Sequence, residues 1–153
     1  MKKFKFKLQT LLDLREAREK EIKNELAALL SIQNIERMKQ EEYRRKIASE
    51  REKFARTMRE GRFSYAESMM FERFVEFGHR VIEVAQQKIN GMEEEISKVR
   101  ERLVEASREK KVVDKLRERK LREYQYELNR EAAKETDDAN QKLYVRRLIE
   151  NAG

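Results

Sequence analysis

From Phe71 onward, alternate steps of four and three residues fall on Val75, Gly78, Ile82, Ala85, Ile89, Met92, Ile96, Val99, Leu103, Ala106, Lys110 and Val113. Twelve of these thirteen positions are apolar or glycine, Lys110 being the exception. At the chain's overall apolar fraction of 39%, chance would fill about five of them. A period of 3.5 residues held this long is the seam of a coiled coil, and it excludes disorder for this half of the chain. The positions between, among them Glu93, Glu94, Glu95, Lys98, Arg100, Glu101 and Arg102, are charged, as the flanks of a seam must be.

Composition closes off the other fold classes. The 153 residues include no Pro, no Cys, no Trp and only 4 Gly, too few breakers for the turns of an α/β or all-β domain. With 37 basic and 30 acidic side chains, 44% of the chain is ionised. A globule would have to bury many of those charges, whereas a slender rod covers only one apolar stripe. No apolar run reaches the ~18 residues of a membrane span, so a soluble chain is expected. Asp13 and Arg15 interrupt the basic N-terminal stretch before the apolar core of an export signal can form. The lack of cysteine removes disulfides and fits a reducing cytoplasm.

One break divides the chain. Gly61 can close a helix in the left-handed conformation, and Ser64 with Glu67 has the spacing of a capping box. The expectation is a single all-α domain over residues 1–153: helix one about 5–60, a turn about 61–64, and helix two about 65–148. A turn this short folds two long helices back as an antiparallel coiled-coil hairpin, the second longer than the first. In the first arm Leu8, Leu12, Ile22, Leu26, Leu29, Tyr43, Ile47 and Phe54 share one register, but Arg15, Glu19, Gln33, Glu36, Gln40 and Glu50 interrupt it. A second line, Ile32, Ile35 and Met38, reads as a seam drifting around the helix. Pairing outward from the turn leaves roughly the last 30 residues without a partner helix, at 1.5 Å per residue in both arms. Tyr124, Tyr126, Leu128, Leu143, Tyr144, Leu148 and Ile149 are therefore expected to lie uncovered.

A catalytic centre has little to work with. The chain has one His and no Cys, and neither a phosphate-binding loop nor a dinucleotide-binding turn. His79 reads as an ordinary partly exposed side chain, with a contact or pH-sensitive role as the alternative. Glu93, Glu94 and Glu95 point to different helix faces and read as solvated charge. No catalytic residue, metal ligand or cofactor is expected. The net charge of +7 raises nucleic acid as a partner. Acids interleave with bases almost throughout, however, and only Lys2, Lys3, Lys5 and Lys7 cluster without an acid before Asp13. Those lysines, with Phe4, Phe6 and Leu8, also suit an anionic membrane surface or a plain helix start. Three readings stay open on residues alone: an interaction protein, a basic coiled coil on nucleic acid, and a dimerising scaffold.

The run Lys3-Phe4-Lys5-Phe6-Lys7-Leu8-Gln9-Thr10-Leu11-Leu12-Asp13-Leu14-Arg15-Glu16, the capped break at Ser64, and Glu109-Lys110-Lys111 followed by Leu116, Glu118, Lys120, Tyr124, Glu127 and Arg130 together resemble the FliJ family of the bacterial flagellar type III export apparatus. The resemblance runs along nearly the whole chain. It implies a non-catalytic two-helix coil, similar to the central stalk of rotary ATP synthases, held in the pore of a hexameric export ATPase. It also implies contact with the large membrane protein of the export gate and with export-substrate chaperones. Cytoplasmic, peripheral placement at the inner membrane would follow, with no nucleic acid and no membrane insertion. The coil's terminal end would enter the ring, giving Lys2, Lys3, Lys5, Lys7, Tyr124, Leu128, Arg146, Arg147 and Leu148 as expected ring contacts. An aromatic and apolar patch would meet the gate, and Tyr43, Phe74 and Val81 resemble it by position. Tyr43 and Phe74 are equally readable as seam or flank.

Overall fold

A computed structural model describes residues 2–153. The chain is all-α: α1 runs over Gln9–Arg59 and α2 over Tyr65–Ala152, and together they form a helical hairpin. At 88 residues against 51, α2 is the longer arm. The turn is built by its residues. Gly61, at φ 68°, takes the left-handed conformation. Its amide donates to the Met58 carbonyl (3.2 Å) and that of Arg62 to the Thr57 carbonyl (3.2 Å). These are the paired bonds of a Schellman close, which satisfy carbonyls the helix end leaves open. Ser64 then starts α2, its hydroxyl accepting the Glu67 amide at 3.2 Å. Phe54 stacks on Phe71 at 4.5 Å and meets the edge of Phe63 at 5.8 Å, which pins both sides of the turn.

Contacts within the chain define two units, residues 20–105 and residues 1–19 with 106–153. In the first, Ile22 and Ile47 of α1 and Ala85, Ile89, Ile96 and Val99 of α2 are buried. Each buried Ile or Val contributes on the order of 1.5–3 kcal/mol. In the second, Leu12, Ala106 and Val113 are buried. All thirteen four-three positions from Phe71 to Val113 are buried or half-buried.

On α1 the expected drift does not occur. Ile32, Ile35 and Met38 are exposed by 51–63%, whereas Gln33 and Gln40 are buried at 2% and 4% and Glu19 at 7%. The polar residues keep the seam because the seam gives them partners. Gln33 donates to the Ile89 carbonyl (3.3 Å) and to Glu93 (2.8 Å). One heptad away, Gln40 repeats the arrangement with the Ile82 carbonyl (3.0 Å) and Gln86 (3.0 Å). Lys110, the polar exception in the α2 seam, pairs with Glu19 at 3.7 Å. Arg15 and Arg18 both reach Glu109.

The start of α1 also differs from expectation. Residues 2–6 lie outside any helix and residues 7–8 form a turn, so α1 begins at Gln9 rather than near residue 5. The reason is the strict alternation Lys3-Phe4-Lys5-Phe6-Lys7. A helix would throw Phe4 and Phe6 to opposite sides, but a non-helical segment turns both the same way. Phe4 and Phe6 are half-buried, while Lys3, Lys5 and Lys7 are exposed.

Two glycines separate packing from propensity. A Cβ at Gly78 would sit 2.8 Å from Ile47 Cδ1, whereas one at Gly91 would meet nothing within 4 Å. Nothing in the structure explains a glycine at 91. Gly91→Ala is expected to stabilise the chain by about 1 kcal/mol, while Gly78→Val crowds the buried Ile47 and loses about 1–3 kcal/mol. Thermal unfolding of both variants checks this, and the reverse order would sink the seam assignment.

Candidate interaction surfaces

The expected ring contacts all fall in the unit made of residues 1–19 and 106–153. Lys2, Lys3, Lys5 and Lys7 are exposed. Tyr124 is not left bare, in contrast to the reading from sequence. Its ring lies 5.6 Å from that of Phe4, and its hydroxyl donates to the Lys2 carbonyl at 2.9 Å. The Gln9 amide closes the base of the segment on the Phe6 carbonyl at 3.1 Å. Between the segment and α2 lies a groove of about 480 Å³ whose walls include Phe6, Leu116, Lys120, Glu123 and Glu127. The Glu123 carboxyl is held below its usual range, first by the hydrogen bond from Lys120 and then by that lysine's charge, with Arg119 adding to both.

Beyond the groove, α2 is exposed through its remaining length. Leu128 is 38% exposed. Residues 129–142 carry no large apolar side chain. Apolar groups then return as Leu143, Tyr144, Val145, Leu148 and Ile149, each more than half exposed. Tyr144, Val145, Leu148 and Ile149 share one helix face at spacings of one, three and four. Arg146 and Arg147 lie on the other side and are exposed. The helix holds to Ala152 and neither frays nor folds back.

The three expected gate contacts lie in the unit of residues 20–105. Tyr43 is half-buried in the seam, with Phe77 edge-on at 6.0 Å and the Lys46 ammonium 4.8 Å from its ring centre. Phe74 is half-buried and lines a groove of about 430 Å³ with Met70, Phe71 and Phe54. Val81 is half-buried in a second groove of about 350 Å³, with Phe77, Val84 and Lys88. Sequence reading missed Met70, Phe77 and Val84, which are 71%, 55% and 49% exposed. A signal for them exists. Met70, Phe74, Phe77, Val81 and Val84 form their own four-three series one residue behind the seam, so α2 carries two adjacent apolar stripes, the second half-buried at Phe74 and Val81 and exposed at Met70, Phe77 and Val84.

Among the described residues no group of three or more His, Cys, Asp or Glu could hold a metal ion, and no helix is long and apolar enough to cross a membrane. His79 and the Glu93–Glu95 run are exposed. The exposed surfaces described above are apolar stripes and a basic segment. Neither a curated protein nor a solved structure matches the chain. A family model described as the flagellar FliJ protein does match, over residues 4–148. That span begins at the phenylalanine held by Tyr124 and ends on the apolar face at Leu148. Covering both arms and the turn between them, it establishes that the chain belongs to the FliJ family and is a component of the flagellar protein export apparatus.

Proposed function

We propose that this chain is the non-catalytic stalk of the export apparatus, inserting the end that holds its N-terminal segment and the last turns of α2 into the ring of a hexameric export ATPase. The observation carrying this reading is the apolar face of Tyr144, Val145, Leu148 and Ile149, which the chain leaves without cover. Exposed apolar patches on a helix call for a partner. Leu128 and Leu148 enter the lumen, with Tyr124 near its mouth. Lys2, Lys3, Lys5, Lys7, Arg146 and Arg147 meet acidic loops at the rim, where charge chiefly sets association rate and register. The second stripe, with Phe74, Phe77 and Val81 beside Tyr43, contacts the cytoplasmic part of the export-gate membrane protein. Export-substrate chaperones bind the same coil, and the chain sits at the cytoplasmic face of the inner membrane through these partners.

Deleting residues 129–153 keeps the Phe4–Tyr124 contact and should preserve helicity per residue while abolishing stimulation of ATP hydrolysis. Full stimulation by the truncated chain would remove the stalk reading. Reversing Lys2, Lys3, Lys5 and Lys7 to Glu should slow association with the ATPase on the order of tenfold at low salt and flatten its salt dependence. An unchanged rate would discard their role. For the gate, Phe77→Ala should weaken capture by the gate's cytoplasmic part about tenfold, with the ATPase contact intact; equal capture would reassign the stripe.

A further inference from the structure

The segment before α1 is more than a place where lysines happen to be. Its backbone is tied at both ends, by Tyr124 to the Lys2 carbonyl and by the Gln9 amide to the Phe6 carbonyl. Its apolar side chains, Phe4 and Phe6, are half-buried, and the alternation leaves Lys3, Lys5 and Lys7 exposed. Resting on the reading above that these lysines meet an acidic partner, we propose that residues 2–8 form a strap latched by Tyr124, which acts as a positioning residue and sets Lys3, Lys5 and Lys7 as a preordered row for a carboxylate-rich protein surface.

Three features argue for that occupant. Ordering the row before encounter removes a conformational cost from the binding step, which a loose basic tail would have to meet on contact. The phenylalanines that would anchor the segment in a lipid surface are instead turned to α2, so the row lacks the apolar half of a membrane anchor. A nucleic-acid backbone presents a continuous line of phosphates, which calls for a longer unmixed basic stripe than three lysines bordered by Glu123 and Glu127. Three lysines can be matched by a few spaced carboxylates of a protein surface. Tyr124 is suited to the latch because it supplies two grips, the ring against Phe4 and the hydroxyl on Lys2. Tyr124→Phe keeps the first and loses the second, and Phe4→Ala loses the first from the other side.

The test uses the full chain and the variants Tyr124→Ala, Tyr124→Phe, Phe4→Ala and the Phe4→Ala/Tyr124→Ala double, each checked for unchanged helicity. The first readout is trypsin cleavage after Lys3, Lys5 and Lys7, with cleavage after Arg146 and Arg147 as internal reference. The strap sites should be cut about tenfold faster than in the wild-type chain in Tyr124→Ala, equally fast in the double variant and no faster than that, and at intermediate rates in Tyr124→Phe and Phe4→Ala, each of which keeps one grip. The second is low-salt binding to poly-L-glutamate, which should weaken severalfold and alike in Tyr124→Ala and the double variant, and less in Phe4→Ala, because Phe4 acts only through Tyr124. Additive losses would mean that Tyr124 touches the partner directly, and would overturn the proposal. So would equal cleavage in all chains, or faster cleavage with unchanged affinity. Tighter binding of the wild-type chain to a DNA duplex or to phosphatidylglycerol vesicles than to poly-L-glutamate would overturn the partner class. None of these measurements contains the export ATPase, so a failed stalk reading would appear separately, as a wild-type chain that does not stimulate it.

Discussion

Register between the two arms is the constraint on which the other features rest, and polar groups set it. An apolar seam with a heptad repeat tolerates sliding by seven residues, because one row of Ile, Val and Leu resembles the next. The glutamines do not. Gln33 and Gln40 bond to the carbonyls of Ile89 and Ile82 and to Glu93 and Gln86. A slide of one heptad would keep one of those arrangements and strand the other glutamine against new neighbours. A buried amide left without a partner costs about 1–3 kcal/mol. Less apolar area in the seam is therefore exchanged for a single alignment.

That alignment decides what is left over. Within the unit of residues 1–19 and 106–153, the Arg117 Nε donates to Gln9 at 3.3 Å, next to the strap that Tyr124 holds. α1 begins at Gln9, while α2 continues to Ala152. Residues 129–142 stay helical without an apolar face because Glu, Arg, Ala, Lys and Gln are strong helix formers. They also separate the packed part of the unit from its exposed apolar face by roughly four turns of helix. A seam shifted toward the turn would have moved that face and the lysine row relative to each other.

Much of this was legible in the sequence. The period from Phe71 and the break at Gly61 and Ser64 together gave the helical hairpin, with its turn within a residue of where it lies, since these signals are local or repeat often enough to average out noise. The losses share a cause. Periodicity tells which faces are apolar but not which of two apolar faces is given a partner. Ile32, Ile35 and Met38 looked like the continuing seam because they are apolar, yet Gln33 and Gln40 hold it, through bonds to an arm that lies about fifty residues away in sequence. The strap was misread because its alternation is only a few residues long. In a chain otherwise helical from end to end, a period of two is easily taken for a helix start, although no helix can place Phe4 and Phe6 on one side.

The same logic bears on why so many apolar side chains remain outside. Each arm carries two stripes, and if apolar area alone ruled, α1 would rotate to bring Ile32 and Ile35 inward and turn Gln33 and Gln40 out. That rotation would bury more hydrocarbon, worth roughly 25 cal/mol for each Å² covered. It would also leave the register unspecified, since hydrocarbon rows slide past one another with little change in energy. Keeping the amides inside fixes the register and, as a direct consequence, holds Ile32, Ile35 and Met38 at the surface. The exposed stripe of α1 is thus the complement of its polar seam, and a partner that covers it need not disturb the alignment the seam has set.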